Sequence, residues 1–203
     1  MTTRAGVVLA GGRSTRFGGR DKAVADLAGV PMIRRVADRL APVVDSLVVN
    51  CRTDQREAVA DAMAGYDRPV SFAIDPDPDE GPMAGIRTGL RATTAAYAAV
   101  VACDMPFVDP ALVAHLFERA DGRDAAVPRP DEWFETTHAV YRADAMADAC
   151  EAALDRGDRK IIAPLFELDY VAVGPDELAD FDARSFENVN TREELAAAAD
   201  RLE

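Results

Sequence analysis

Lysine is almost missing from this sequence: Lys22 and Lys160 are the only two, and the formal charge of the 203 residues is −13. Such an acid excess repels polyanions and sets nucleic acid aside as a partner. Cysteine is scarce as well, and Cys51, Cys103 and Cys150 lie too far apart for a disulfide framework or a paired-cysteine zinc site. They read as reduced thiols. No apolar run approaches the roughly 18 residues that a membrane helix needs, and Met1 to Arg4 lacks the apolar core of a secretory signal. The expected place is the cytoplasm, with no membrane partner. No repeat or low-complexity stretch occurs, and hydrophobic residues make up 49% of the chain, so a disordered or fibrous protein is set aside too. The acidic, lysine-poor surface suits concentrated salt, where the Debye length is about 3 Å at 1 M and self-repulsion is screened.

What is present alternates. Short apolar runs at 5–9, 46–51, 70–74 and 98–102 read as buried strands, and helical patterns at 31–40, 54–63 and 84–93 lie between them. This βαβαβα order predicts an α/β fold: a single three-layer, Rossmann-like domain over 1–203 with a mostly parallel sheet. Beyond Asp109 we expect a helix to about Ala120, a strand at 125–127, a hairpin arm at 134–141, helices at 143–156 and 160–166, and a strand at 170–173. A final helix should start at Thr191, capped by that threonine with Glu194 three residues on. The segment 127–187 could form a lid or acceptor-binding lobe on the same domain.

In such sheets ligands bind outside the carboxyl ends of the strands. Three of the four strands run straight into unusual loops. Leu9 leads into AGGRSTRFGGRDK, where Gly11, Gly12, Gly18 and Gly19 permit close backbone approach and Arg13, Arg16, Arg20 and Lys22 place four cations within ten residues. In so acidic a chain the cluster calls for a polyanion rather than a solvated turn. Its spacing matches neither the dinucleotide fingerprint GxGxxG nor the GxxxxGK[ST] loop, which weakens dehydrogenase and P-loop readings.

The strand at 98–102 ends in CDMP, which puts Asp104 at an exposed strand end. It could cap the turn before Pro106, or it could hold Mg²⁺, which takes one or two protein carboxylates plus phosphate oxygens and water. The third loop, DPDPDEGPMAGI, carries Asp75, Gly81 and Gly85; Asp77, Asp79 and Glu80 read as acidic surface, and some of the glycines could serve only helix packing. Near the end, FENVNTREEL alternates Asn188 and Asn190 around Val189. On a strand both asparagines would share one face while Val189 packs inward.

LAGGRSTRFGGRDK resembles the signature of the nucleotidyltransferases related to molybdenum cofactor guanylyltransferase, LAGGxSxRMG followed closely by DK, with Phe17 where methionine is usual. CDMP resembles the family's CDxP metal motif, GPMAGI its GPLAGI, and FENVNTREEL its closing motif. The likeness runs through four ordered motifs over nearly the whole chain. It implies that the backbone of Leu9, Ala10, Gly11 and Gly12 and the side chain of Lys22 contact nucleotide and phosphate, and that Arg16 matches the family's arginine. It further implies that Asn50 and Asp75 contact the nucleotide, with Gly81 and Gly85 in the same loop, that Asp104 binds Mg²⁺ and nucleotide, and that Asn188 and Asn190 reach the metal site or the acceptor phosphate. The implied substrates are GTP and Mo-molybdopterin, and molybdopterin-delivering or molybdoenzyme-maturation proteins are the implied protein partners. Trp133 could stack on a pterin, and His138 could be structural.

Arg16, Lys22 and Asp104 are thus the expected catalytic groups, acting by charge stabilisation of an in-line displacement. Two alternatives stay open: a related transferase using CTP on molybdopterin or GTP on another phosphorylated precursor, and a nucleotide-binding regulatory module without turnover. Pyrophosphate release with each nucleotide separates them.

Overall fold

A computed structural model of the chain describes residues 3–12, 17, 21–76, 80–158 and 160–202. The first strand, β1 (Arg4–Leu9), is followed by a two-residue hairpin, β2 (Asp26–Leu27) and β3 (Val30–Pro31), then by α1 (Met32–Leu40), β4 (Ser46–Cys51), α2 (Arg56–Ala62), β5 (Val70–Ile74), α3 (Pro82–Arg91) and β6 (Tyr97–Ala102). The second half continues with α4 (Pro110–Arg119), β7 (Ala125–Pro128), β8 (His138–Arg142), α5 (Ala143–Asp155), β9 (Tyr170–Val173), α6 (Pro175–Leu178) and α7 (Arg192–Asp200).

Seven strands form one sheet in the order β5-β4-β1-β6-β8-β7-β9. The four expected strands pair in parallel, β5 with β4, β4 with β1 and β1 with β6, while β8 runs antiparallel between β6 and β7. The parallel strands read as unbroken apolar runs because both of their faces are covered. Val8, Val49 and Val101 pack with Ile33, Val36 and Leu40 of α1, Val59 of α2 and Leu112 of α4, whereas Val7, Val48 and Val100 meet Met83, Ile86 and Leu90 of α3 and Met146 of α5. Helices on both faces make the three-layer, mostly parallel α/β domain that the alternation predicted. Among the described residues, no helix is long and apolar enough to cross a membrane.

Chain order decides where a ligand can enter. From β1 the chain steps to β4 and β5 on one side, then returns to place β6 on the other side of β1, so the loops after β1 and β6 diverge and leave a crevice.

Departures from expectation have local causes. In place of a helix at 160–166 stand turns and a 3₁₀ turn at Pro164–Glu167, because Pro164 removes a donor and clashes with a preceding helical turn. The arm at 134–141 reduces to β8, with 136–137 in a turn. The β2–β3 hairpin was not anticipated; Ala28 (φ 51°) and Gly29 (φ 78°) make its tight turn. Helix α6 was not anticipated either. Residues 187–190 carry no strand pairing beyond the Val189 N–H, which donates to Asp104 O at 2.8 Å, yet Val189 is buried as expected. The three cysteines are free and buried, and burial pushes the Cys51 thiol up to about 11.

Candidate active site

The carboxyl ends of β1, β4 and β6 open on a cavity of about 480 Å³. Two parallel-ladder bonds continue past the strand ends and fix the approach: the Ala10 N–H donates to Asn50 O at 2.8 Å and the Cys103 N–H to Leu9 O at 3.0 Å. Gly11 and Gly12 therefore leave the sheet between the end of β4, which carries Asn50, and the loop that carries Asp104. Leu9, Gly11 and Gly12 line the cavity, while Ala10 lies buried beneath it.

On one wall Lys22 meets Asp104. Asp21 caps the short turn Lys22–Val24 by accepting from the Ala23 N–H, and this sends Lys22 inward; its Nζ donates to Asp104 Oδ2 at 2.5 Å and to Asn190 Oδ1 at 3.0 Å. Residues 82 and 168 positions apart in sequence thus converge on one ammonium group. Asp104 Oδ1 is buried and has no hydrogen-bond partner among the described residues. A buried carboxylate oxygen without a donor is costly, and its chemistry, a hard anionic oxygen beside a phosphate-sized cavity, fits a hard divalent cation. Among the described residues no three histidine, cysteine, aspartate or glutamate side chains cluster as metal ligands.

Across the cavity stand Asn50 and Asp75. Asn50 is 1% exposed, and its Nδ2 donates to Asp75 Oδ1 at 2.7 Å and to Ala73 O at 3.3 Å. Burial raises the Asp75 pKa, and hydrogen bonds from Asn50 and Thr88 oppose that rise by favouring the carboxylate. The result is an oriented acceptor at the cavity wall, able to take adjacent N–H donors of a base. Gly81, at φ 88°, opens α3 in a conformation that glycine adopts without strain, and a Cβ on Gly85 would come 2.6 Å from Asn50 Oδ1. The helix can approach Asn50 only because residue 85 has no side chain.

The structure therefore brings together Lys22, Asp104 and Asn190 on one side and Asn50, Asp75, Gly81 and Gly85 on the other. Asn188 is exposed, and its Nδ2 donates to Phe186 O at 3.4 Å. Arg16 lies outside the described residues, as do Arg13, Arg20, Asp77 and Asp79. His138 is buried, with its pKa lowered to about 4 by burial, and its Nε2 contacts Ser185 Oγ at 3.3 Å; Trp133 is exposed. Sequence reasoning missed Asp21, Thr137 and the pair Arg52 and Gln55. The signal for that pair was available, since RTDQ follows β4 as directly as CDMP follows β6.

Residues 6–171 match the MobA-like NTP transferase domain. The chain belongs to that family. A protein of Natronomonas pharaonis named "Probable molybdenum cofactor guanylyltransferase" is 55% identical over 100% of both chains, and one of the same name from Haloferax mediterranei is 42% identical over 98% of this chain and 95% of its own. The crystal structure of molybdopterin-guanine dinucleotide biosynthesis protein A from Archaeoglobus fulgidus superposes with a TM-score of 0.80, at 30% identity, covering 98% of each chain. This MobA-like chain is a nucleotidyltransferase, and its cavity lies at the crevice where the fold binds its ligand.

Proposed function

We propose that this nucleotidyltransferase transfers GMP from GTP to Mo-molybdopterin, giving molybdopterin guanine dinucleotide and pyrophosphate. The observation that carries the reading is the convergence of Lys22, held by Asn190, and Asp104 in one cavity with the Asn50–Asp75 pair. A triphosphate needs cations and a metal-binding carboxylate within its own length of the base-reading group, and here they share one space.

In this reading Asp75 accepts the adjacent N–H donors of guanine, while Gly11, Gly12, Lys22 and Arg16 surround the phosphates. Asn190 holds the Lys22 ammonium toward the reacting centre, and Asn188 faces the acceptor side. Mg²⁺ is the cofactor we assign to Asp104, where it would polarise phosphate oxygens and neutralise the charge that develops on them. The acceptor's terminal phosphate attacks the α-phosphorus in line, pyrophosphate leaves, and no covalent enzyme intermediate forms. No general base is required, since a phosphate monoester is already anionic near neutral pH. The segment 127–187 forms the acceptor side, and the setting is cytoplasmic, with a molybdopterin-delivering protein or a molybdoenzyme-maturation protein as partner.

The test is pyrophosphate release with each nucleoside triphosphate, with and without molybdopterin. GTP with acceptor should turn over. Turnover with CTP alone would overturn the choice of nucleotide, and GTP binding without turnover beside a competent acceptor would favour the regulatory module.

Gly85→Ala gives a second check. The added methyl must displace Asn50, and overpacking of this kind costs about 1–3 kcal/mol. The KM for GTP should rise about tenfold, since 1.4 kcal/mol is about a factor of ten, with pyrophosphate chemistry at saturation largely kept. An unchanged KM would detach Asn50 from nucleotide recognition.

A further inference from the structure

An anion site built from backbone must solve a problem of sign: every peptide unit that offers an N–H also carries a carbonyl oxygen that repels phosphate. The loop after β1 meets this problem at four consecutive residues, and all four carbonyls are occupied. Leu9 O accepts from the Cys103 N–H at 3.0 Å. Ala10 O accepts from Gln55 Nε2 at 3.0 Å, and Gly11 O and Gly12 O both accept from Arg52 Nη1, at 2.8 and 2.7 Å.

Three of these four hydrogen bonds come from one short turn after β4. Gln55 is 3% exposed and its polar atoms are fully engaged: Oε1 accepts from the Arg52 N–H at 3.0 Å, and Nε2 donates also to Asp21 Oδ2 at 2.7 Å. Since Asp21 caps the turn that aims Lys22, Gln55 ties the start of the phosphate loop to its end. Arg52 is held from behind, its Nε donating to Asp54 Oδ1 at 3.0 Å, and both hydrogens of its Nη1 are spent on the loop carbonyls.

We propose that Arg52 and Gln55 are positioning residues of the transfer reaction, which turn the carbonyls of residues 10–12 away from the triphosphate and set the Lys22 turn relative to them. The inference rests on the reading of this loop as the triphosphate site. Arg52 contributes here through its two short hydrogen bonds to the loop, and it is not among the residues that line the cavity.

The test compares GTP with guanosine, which keeps the base and lacks the phosphates, in wild type, Arg52→Met, Arg52→Lys and Gln55→Met. The wild-type protein should bind GTP more tightly than guanosine; equal affinities would sink the triphosphate reading itself, and this inference with it. Given that preference, Arg52→Met and Gln55→Met should each weaken GTP about tenfold or more, the scale of losing hydrogen bonds to a charged donor or a buried pair, and leave guanosine affinity unchanged. Arg52→Lys should recover part of the loss, because an ammonium group can reach both carbonyls. Gln55→Met changes no charge, so its phosphate-specific loss marks geometry. Wild-type GTP affinity and turnover in both methionine variants with unchanged Tm, or equal losses for GTP and guanosine, would overturn the assignment.

Discussion

Asp104→Ala should lower pyrophosphate release at least about a hundredfold at saturating GTP and acceptor, the scale of losing one electrostatic stabiliser at a reacting centre. Two losses combine in that variant. The buried Oδ1, which has no protein donor among the described residues, disappears as the oxygen for a cation, and Lys22 loses the carboxylate that fixes its Nζ at 2.5 Å. The fold should survive, since the contact that joins this loop to the closing segment is made by the backbone, from the Val189 N–H to Asp104 O at 2.8 Å, and alanine keeps it. Asp104→Asn should behave alike, because an amide retains the shape and loses the charge. Near-normal release in either variant would strip Asp104 of its role.

The parts of this molecule that were legible in the sequence are those where one physical requirement leaves one pattern. Strands β1, β4 and β6 are buried on both faces of the sheet and the edge strand β5 is partly buried, so their apolar runs announced them with nearly correct ends. Thr191 and Glu194 form the expected reciprocal cap of α7, with the Glu194 N–H bonded to Thr191 Oγ1 at 3.1 Å. Lys22 stood out as a rare lysine closing the cationic loop after β1, and Asp104 as a carboxylate just past the end of β6, so the rule that ligands bind at strand ends placed both at one crevice.

Other features depend on tertiary context that a linear reading does not carry. Pro164 decided against a helix that the apolar spacing at 160–166 favoured. Asn188 and Asn190 were expected on one strand face; without a partner strand at 187–190 the alternation has nothing to enforce it, and only Asn190 turns to Lys22 while Asn188 stays exposed. Arg52 and Gln55 are the instructive omission. Arg52 lies outside the cationic loop and Gln55 carries no charge, and their meaning comes from the parallel neighbour β1, which delivers carbonyls of residues 10–12 to the turn after β4.

Lys22→Met should lose turnover as heavily as Asp104→Ala, and yet its nucleotide-free form should bind a divalent cation more tightly than the native chain. In the absence of nucleotide the Lys22 ammonium is itself the counter-ion of Asp104, with Asn190 Oδ1 steadying it at 3.0 Å. A cation arriving alone at the unpartnered Oδ1 meets the repulsion of that ammonium on Oδ2 and a carboxylate whose charge is already balanced. A triphosphate gives Lys22 anionic oxygens to pair with instead, so nucleotide and cation should each strengthen the binding of the other, a reciprocal coupling whose usual size is about 5- to 150-fold. Removing the ammonium group ends that repulsion and, with it, much of the coupling. Titration of Mn²⁺ followed by electron paramagnetic resonance, with and without GTP, reads both quantities apart from catalysis. Tighter Mn²⁺ in nucleotide-free Lys22→Met, with a smaller gain on adding GTP, is the expected pair of results. Mn²⁺ affinity equal to or weaker than native in that variant would mean that Lys22 does not oppose the cation, and that the Lys22–Asp104 contact serves only to hold the two loops together.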